Sequence, residues 1–158
     1  MKSLVAFYSR TGITKKTAEA VAKALGADID EIIDEKDRKG IAGYLGGGRD
    51  ALQKKQTGIA FKKSPGKYDL VIIGTPVWGA RMTPAIRTYI ERHKKQLGNS
   101  KVAFFCTMGG SGYERTIEEM GLISGKKPHA TMAVLTREVV KDAHGDKVKL
   151  FVEEIKKK

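Results

Sequence analysis

The stretch Ser3-Leu-Val-Ala-Phe-Tyr-Ser-Arg-Thr-Gly-Ile-Thr-Lys-Lys-Thr-Ala-Glu-Ala-Val21 decides the fold. Leu4 to Tyr8 is an apolar run of strand length, and it breaks at once into the hydroxyl-rich turn Ser9-Arg-Thr-Gly-Ile-Thr14. From Ile13 the apolar positions fall at helical spacing, with Ile13, Thr17, Ala20, Val21 and Ala24 expected on one face. A strand feeding a helix through such a turn is the layout of an anion cradle. The first amides of a helix have no intrahelical acceptors, and the helix dipole favours a negative group beside them. Ser9, Thr11 and Thr14 supply hydroxyls, and Gly12 lets the backbone come close to a ligand. A plain N-cap by Thr11 or Thr14 would give the same pattern with no ligand at all. The spacings G-x-x-x-x-G-K-[ST] and G-x-G-x-x-G are both absent, which argues against a P-loop NTPase and the usual dinucleotide fingerprint.

Working outward, buried strands alternate with amphipathic helices. Asp28 to Ile33 reads as a second strand near a sheet edge, and Asp34 to Lys39 as a charged loop. Gly40 to Lys55 places Ile41, Tyr44, Leu45 and Leu52 at loosely helical spacing, but Gly46-Gly47-Gly48 cuts through it. Each glycine costs a helix about 1 kcal/mol, so the expectation is a broken or mobile helix, serving as a connection or as a lid beside a site. Tyr68 to Gly74, Lys101 to Thr107 and Ala130 to Thr136 read as strands. Pro84 to His93, Tyr113 to Ile123 and Asp146 to Lys156 read as helices. The whole chain, 1–158, is expected to be one α/β domain. Its sheet is five-stranded and parallel, of order 2-1-3-4-5, with helices on both faces in three layers. That order makes strands one and three flank the switch point, where the loops after strands one, three and four converge on one crevice.

Composition narrows the function. The net charge is +12 over 158 residues, yet the lysines are scattered and no aromatic residues interleave with them. Sequence-specific nucleic-acid binding is therefore not expected. No apolar stretch is long enough to enter a bilayer as a span, and Met1-Lys2-Ser3 runs straight into a strand. With the single cysteine Cys106, this points to a cytoplasmic protein. Cys106 lacks the Cys-x5-Arg spacing of a phosphatase and reads as a small buried residue. His93, His129 and His144 are isolated, without metal-ligand spacing, and Asp69 reads as a strand-end residue.

The three loops carry a resemblance. Ser9-Arg10-Thr11-Gly12-Ile13-Thr14, followed by Thr17-Ala18, resembles the FMN phosphate loop of flavodoxins. Thr75-Pro76-Val77-Trp78-Gly79 resembles their second loop, where an aromatic residue covers the flavin. Gly109-Gly110-Ser111-Gly112-Tyr113-Glu114 resembles the third, commonly Gly-Asp-Ser-x-Tyr, and the site expected there takes in Thr107 and Met108 and runs to Tyr113. The resemblance implies that these eighteen residues surround FMN, with Trp78 against the ring and the Gly79 peptide near flavin N5. Gly110 stands where Asp is common, and Ala80-Arg81 where acidic residues are frequent. The fifth strand carries no insertion, which resembles the short-chain form. Pro76-x-Trp78 with Met82-Thr83 and Ile86-Arg87-x-Tyr89-Ile90-Glu91 also resembles the NAD(P)H:quinone oxidoreductase and flavin reductase branches.

The resemblance implies a one-electron carrier first, working with a redox partner protein that the positive charge would make acidic. An NAD(P)H-dependent reductase passing hydride through FMN to a small quinone or flavin comes second. A binding module that has lost the flavin comes third.

Overall fold

The computed structural model describes residues 1–157. The strands are β1 (Ser3–Phe7), β2 (Asp28–Glu31), β3 (Ile33–Asp34), β4 (Ile59–Ala60), β5 (Leu70–Pro76), β6 (Lys101–Met108) and β7 (Thr131–Leu135). The helices are α1 (Ile13–Leu25), α2 (Gly40–Leu52), α3 (Pro84–Leu97), α4 (Tyr113–Ser124), α5 (Thr136–Val140) and α6 (Gly145–Lys156), with a short 3₁₀ turn at Pro65–Lys67. Five strands form one parallel sheet in the order β2-β1-β5-β6-β7. Counting only those five, this is the expected 2-1-3-4-5. β3 and β4 make a separate two-stranded antiparallel ribbon that the sequence pattern did not reveal.

Alternation along each strand builds two cores. Leu4, Ala6, Val71, Ile73, Phe104 and Cys106 point to one face and are covered by Ile86, Tyr89 and Ile90 of α3 and Met120 of α4. Val5, Phe7, Leu70, Ile72, Ala103 and Phe105 point to the other, under Ala18 and Val21 of α1 and Phe151 and Val152 of α6. Burial on both faces explains why these strands are apolar throughout rather than alternating.

Several boundaries move. The second strand ends at Glu31, because the chain turns after Ile32 to pair Ile33 with Ala60 in the ribbon. The buried stripe of α1 is Thr14, Thr17, Ala18, Val21 and Ala22, so Ala24 is exposed and Ile13 and Ala20 are only partly covered. The stripe is rotated because Thr14, a polar residue, is accommodated inside by a hydroxyl partner on β6. Asp69 ties off a strand end by accepting the Lys2 amide at 2.7 Å. α5 was not expected; its start is secured by Glu138, whose carboxylate accepts the Leu135 amide at 2.8 Å and pairs with Lys147 at 2.9 Å.

The main correction concerns α2, which runs unbroken from Gly40 to Leu52 through all three glycines. A Cβ on Gly47 would lie 2.6 Å from the Trp78 ring, so only glycine lets the helix dock there. Gly46 and Gly48 have open space beside them. The three glycines should therefore respond oppositely to alanine. In urea unfolding, Gly46→Ala and Gly48→Ala gain up to about 1 kcal/mol from helix propensity. Gly47→Ala instead loses about 1–3 kcal/mol to overpacking.

Candidate functional site

The loops after β1, β5 and β6 meet beyond the carboxyl ends of the strands, and α2 lies across them. Together they enclose a cavity of about 690 Å³, in the size range of small-molecule and cofactor sites. Of the residues expected from sequence, Arg10, Thr11, Ile13, Thr14, Pro76, Val77, Trp78, Gly79, Thr107, Met108 and Gly109 line it. Ser9, Gly12, Thr75, Gly110, Ser111, Gly112 and Tyr113 do not.

Five of the residues outside the lining have structural work of their own, while Gly110 and Ser111 are exposed. Ser9 Oγ accepts the Gly12 amide at 3.0 Å and so braces its own turn. Thr75 is fully buried, and its hydroxyl oxygen accepts the Thr83 amide at 3.2 Å. Gly12 and Gly112 both sit in the left-handed region at φ 95°. At Gly112 a Cβ would also come within 2.8 Å of Ala80, so the third loop packs directly on the second. The Tyr113 hydroxyl is bonded to Thr131 Oγ1 at 2.9 Å, and the ring packs against the core.

The cavity has two chemically different ends. At one end α1 begins without any side-chain cap, so its first-turn amides are uncommitted. Thr11 is exposed beside them. The Thr14 hydroxyl is spent on Thr107 Oγ1 at 2.8 Å, joining the first and third loops across the crevice. The other end is apolar. Trp78 is 9% exposed, edge-to-face on Tyr8 with centroids 5.7 Å apart. Burial pushes the Tyr8 hydroxyl up to about 12, so it is neutral at physiological pH.

The second loop is rigid. Trp78 and Arg81 exchange backbone hydrogen bonds at 2.9 and 3.1 Å, and the two residues between them, Gly79 and Ala80, have φ 58° and 59°. Positive φ at both central positions is the tight hairpin turn in which Gly is favoured and Ala is strained. Arg81 is fixed outside the cavity by Glu119 at 3.1 Å, which also holds the buried Arg87 at 2.6 Å.

The wall that sequence reasoning missed is the outward face of α2, with Tyr44, Leu45, Gly48, Arg49, Leu52 and the following Gln53, joined by Thr136 from the start of α5. The signal was present in the helical spacing of Tyr44, Leu45 and Leu52 but was outweighed by the glycines. Arg10 bridges to this wall, its guanidinium carbon 5.2 Å from the centroid of the Tyr44 ring. α2 is pinned at its inner face by Asp50, which receives Lys36 Nζ at 2.8 Å and Arg38 Nη1 at 2.6 Å. Arg38 also donates to Asp34 at 3.0 Å. The Lys36 hydrogen bond, ahead of those from Arg38, holds the Asp50 carboxyl down at about 2.

Cys106 is fully buried in β6, where burial pushes the thiol well up, so it is no nucleophile at neutral pH. His93 is buried against the Tyr89 carbonyl at 2.9 Å. Among the described residues no cluster of His, Cys, Asp and Glu could hold a metal ion, and no helix is long and apolar enough to cross a membrane.

The flavodoxin-domain family matches residues 39–137, which span α2, the second and third loops and the last three sheet strands. The chain belongs to this family. Comparison with curated protein sequences returns no match. Among solved structures, the chain is similar to a Lactobacillus acidophilus flavoprotein in complex with FMN. The identity is 23%, with 89% of this chain and 97% of that one covered and a TM-score of 0.70. A Bacteroides eggerthii protein assigned as a flavoprotein is 27% identical, covers 89% and 94%, and has a TM-score of 0.71. An NADH:FMN oxidoreductase in apo form is 14% identical, covers 100% and 92%, and has a TM-score of 0.58. The flavodoxin fold is thus shared with both plain flavoproteins and a reductase.

Asp50 makes the α2 wall sensitive to acid. Its carboxyl is depressed in the folded state, so the stabilisation is complete above the unfolded value of about 4 and is lost as pH falls through about 2. Urea midpoints of the wild type and Asp50→Asn should differ at neutral pH, with the variant less stable. The difference should shrink as pH drops from about 4 to about 2.

Proposed function

We propose that the cavity holds FMN and that the chain is an oxidoreductase acting on a small molecule through it. The residues present fit that cofactor. An uncapped helix start with Thr11 beside it suits a phosphate, and Trp78, Val77 and Leu52 give flat apolar walls for a ring system. FMN, when bound, supplies reversible one- and two-electron chemistry. The chain supplies the rest: α1 and Thr11 hold the phosphate, and Trp78 positions the ring. The Gly79 peptide, held in its hairpin turn at φ 58°, offers backbone hydrogen-bonding groups at the cavity edge.

The observation that carries the small-molecule reading is the α2 wall. The loop resemblance implies a one-electron carrier first, and a carrier presents its flavin edge to a protein. Here a docked helix forms one wall of the cavity, which narrows the approach of a partner protein to a flavin held there. The reductase neighbour shares the fold, which is compatible with this order. A carrier reading retains one observation in its favour. The net charge of +12 would steer an acidic protein to the surface, with association slowed by salt.

Two measurements test the proposal. Thr11→Ala should weaken FMN by about 1.5–3 kcal/mol, the value of a hydrogen bond to a charged group, and leave riboflavin unaffected. Equal losses for both ligands would remove the phosphate from this end of the cavity. With FMN loaded and oxygen excluded, NADH or NADPH should bleach the visible flavin absorption, and a small quinone should restore it over many turnovers. Bleaching by dithionite alone, with reoxidation only by an acidic redox protein, would restore the carrier.

A further inference from the structure

We propose that the pole of the domain opposite the cavity is a docking surface for an anionic lipid bilayer. The proposal stands apart from what the cavity holds.

The lysines are scattered in sequence, but the fold gathers them. In a parallel sheet every strand begins at the same edge, and the connecting helices end there. Lys2 precedes β1, Lys67 precedes β5, Lys101 opens β6, and Lys126 and Lys127 lead into β7. Lys23, Lys94, Lys95 and Lys156 lie in the last turns of α1, α3 and α6. These segments touch one another. Lys126 Nζ donates to the Gly98 carbonyl at 3.0 Å, and a Cβ on Gly125 would lie 3.4 Å from Lys94 Cε.

Among the described residues none of these lysines is paired with a carboxylate, whereas Lys15, Lys16, Lys36, Lys54, Lys55 and Lys147, toward the other end of the domain, all are. The aspartates at this pole are already engaged. Asp28 receives the Tyr68 hydroxyl at 2.7 Å and Lys63 at 3.8 Å, and Asp69 receives the Lys2 amide at 2.7 Å. Glu153 and Glu154 stand back from the end of α6. A helix dipole accounts for cations in last turns, but Lys2 and Lys101 open strands, where no such dipole acts.

The chemistry of the patch selects a bilayer over a nucleic acid. Its cations are lysines, point charges on flexible stems, while the planar forks of Arg10 and Arg49 line the cavity. Helix C-termini present carbonyls rather than amides, so no seat for a fixed phosphate is built. Tyr68, the aromatic residue beneath Lys2, is 8% exposed and offers no platform for a base. Diffuse charge without a shaped seat suits a fluid anionic surface. An apolar side chain completes the fit: Leu122, 72% exposed in the last turn of α4, shares a shallow groove with Lys126, Lys127 and Pro128. It can enter the headgroup layer while the lysine stems spread around it. Docked this way, the cavity at the carboxyl ends of the strands faces water.

Co-sedimentation with vesicles tests the proposal, using phosphatidylcholine alone and phosphatidylcholine mixed with phosphatidylglycerol. At about 0.1 M salt the chain should partition about tenfold or more in favour of the anionic vesicles, and high salt should release it. Each lysine at the surface is worth about fivefold, so the triple variant Lys95→Gln, Lys101→Gln, Lys127→Gln should lose on the order of a hundredfold. The same three positions changed to arginine should retain binding. Lys39→Gln, Lys141→Gln, Lys149→Gln removes equal charge from exposed lysines elsewhere and should change binding less than about threefold, being screened. Trp78 lies at the far ends of the strands, so brominated acyl chains should leave its emission unchanged in the bound chain.

Equal partitioning onto neutral and anionic vesicles, or onto neither, overturns the proposal. Equal losses from the two glutamine triples do so too, because net charge and not this pole would then drive binding. Quenching of Trp78 by the brominated lipid turns the cavity toward the bilayer and contradicts the orientation. Displacement from the vesicles by duplex DNA at equal phosphate concentration gives the patch to nucleic acid.

Discussion

The structure turns on the close approach of Gly47 to the Trp78 ring. Trp78 is fixed from below by its hairpin turn and by Tyr8, so it offers a rigid platform at the ends of the strands. α2 rests on that platform at the one residue where no side chain intervenes. Everything that makes the crevice a cavity follows from this seat. Remove it, and Tyr44, Leu45 and Leu52 have no reason to face the three loops.

The seat is held by charge rather than by a large apolar interface. Asp50 is buried and gathers Lys36 and Arg38, while Ala51 is the apolar residue of α2 that joins the core. Breaking such a buried pair costs several kcal/mol even where the intact pair contributes little net stability. The arrangement fixes where the helix sits more than how stable the domain is. That is the quality a wall needs if its far face must be shaped for a ligand.

The sheet was legible because its signals are local. Leu4 to Tyr8 and Leu70 to Ile73 are apolar without alternation, as strands buried on both faces must be, and the turn after Tyr8 announced the helix that follows. The loops were legible by resemblance, but resemblance does not say which hydroxyl faces inward. Ser9 and Thr75 brace the backbone, and the Thr14 hydroxyl is spent on Thr107, leaving Thr11 as the first-loop hydroxyl free at the cavity. The α2 wall was illegible for a physical reason. Helix propensity sums local costs, and three glycines outweigh the periodicity of Tyr44, Leu45 and Leu52. The compensation comes from Trp78, some thirty residues away in sequence, and from Asp50 reaching back to Lys36 and Arg38. The short β3–β4 ribbon escaped for the same reason, since two-residue strands carry no period.

The central claim is that the α2 wall and Trp78 enclose a flavin site. Trp78 is the single tryptophan, so its emission has one source. Titrating FMN into the cofactor-free chain while following that emission tests the claim most directly. The account predicts strong quenching that saturates at one FMN per chain. Emission unchanged at saturating FMN would place the flavin, or the tryptophan, elsewhere.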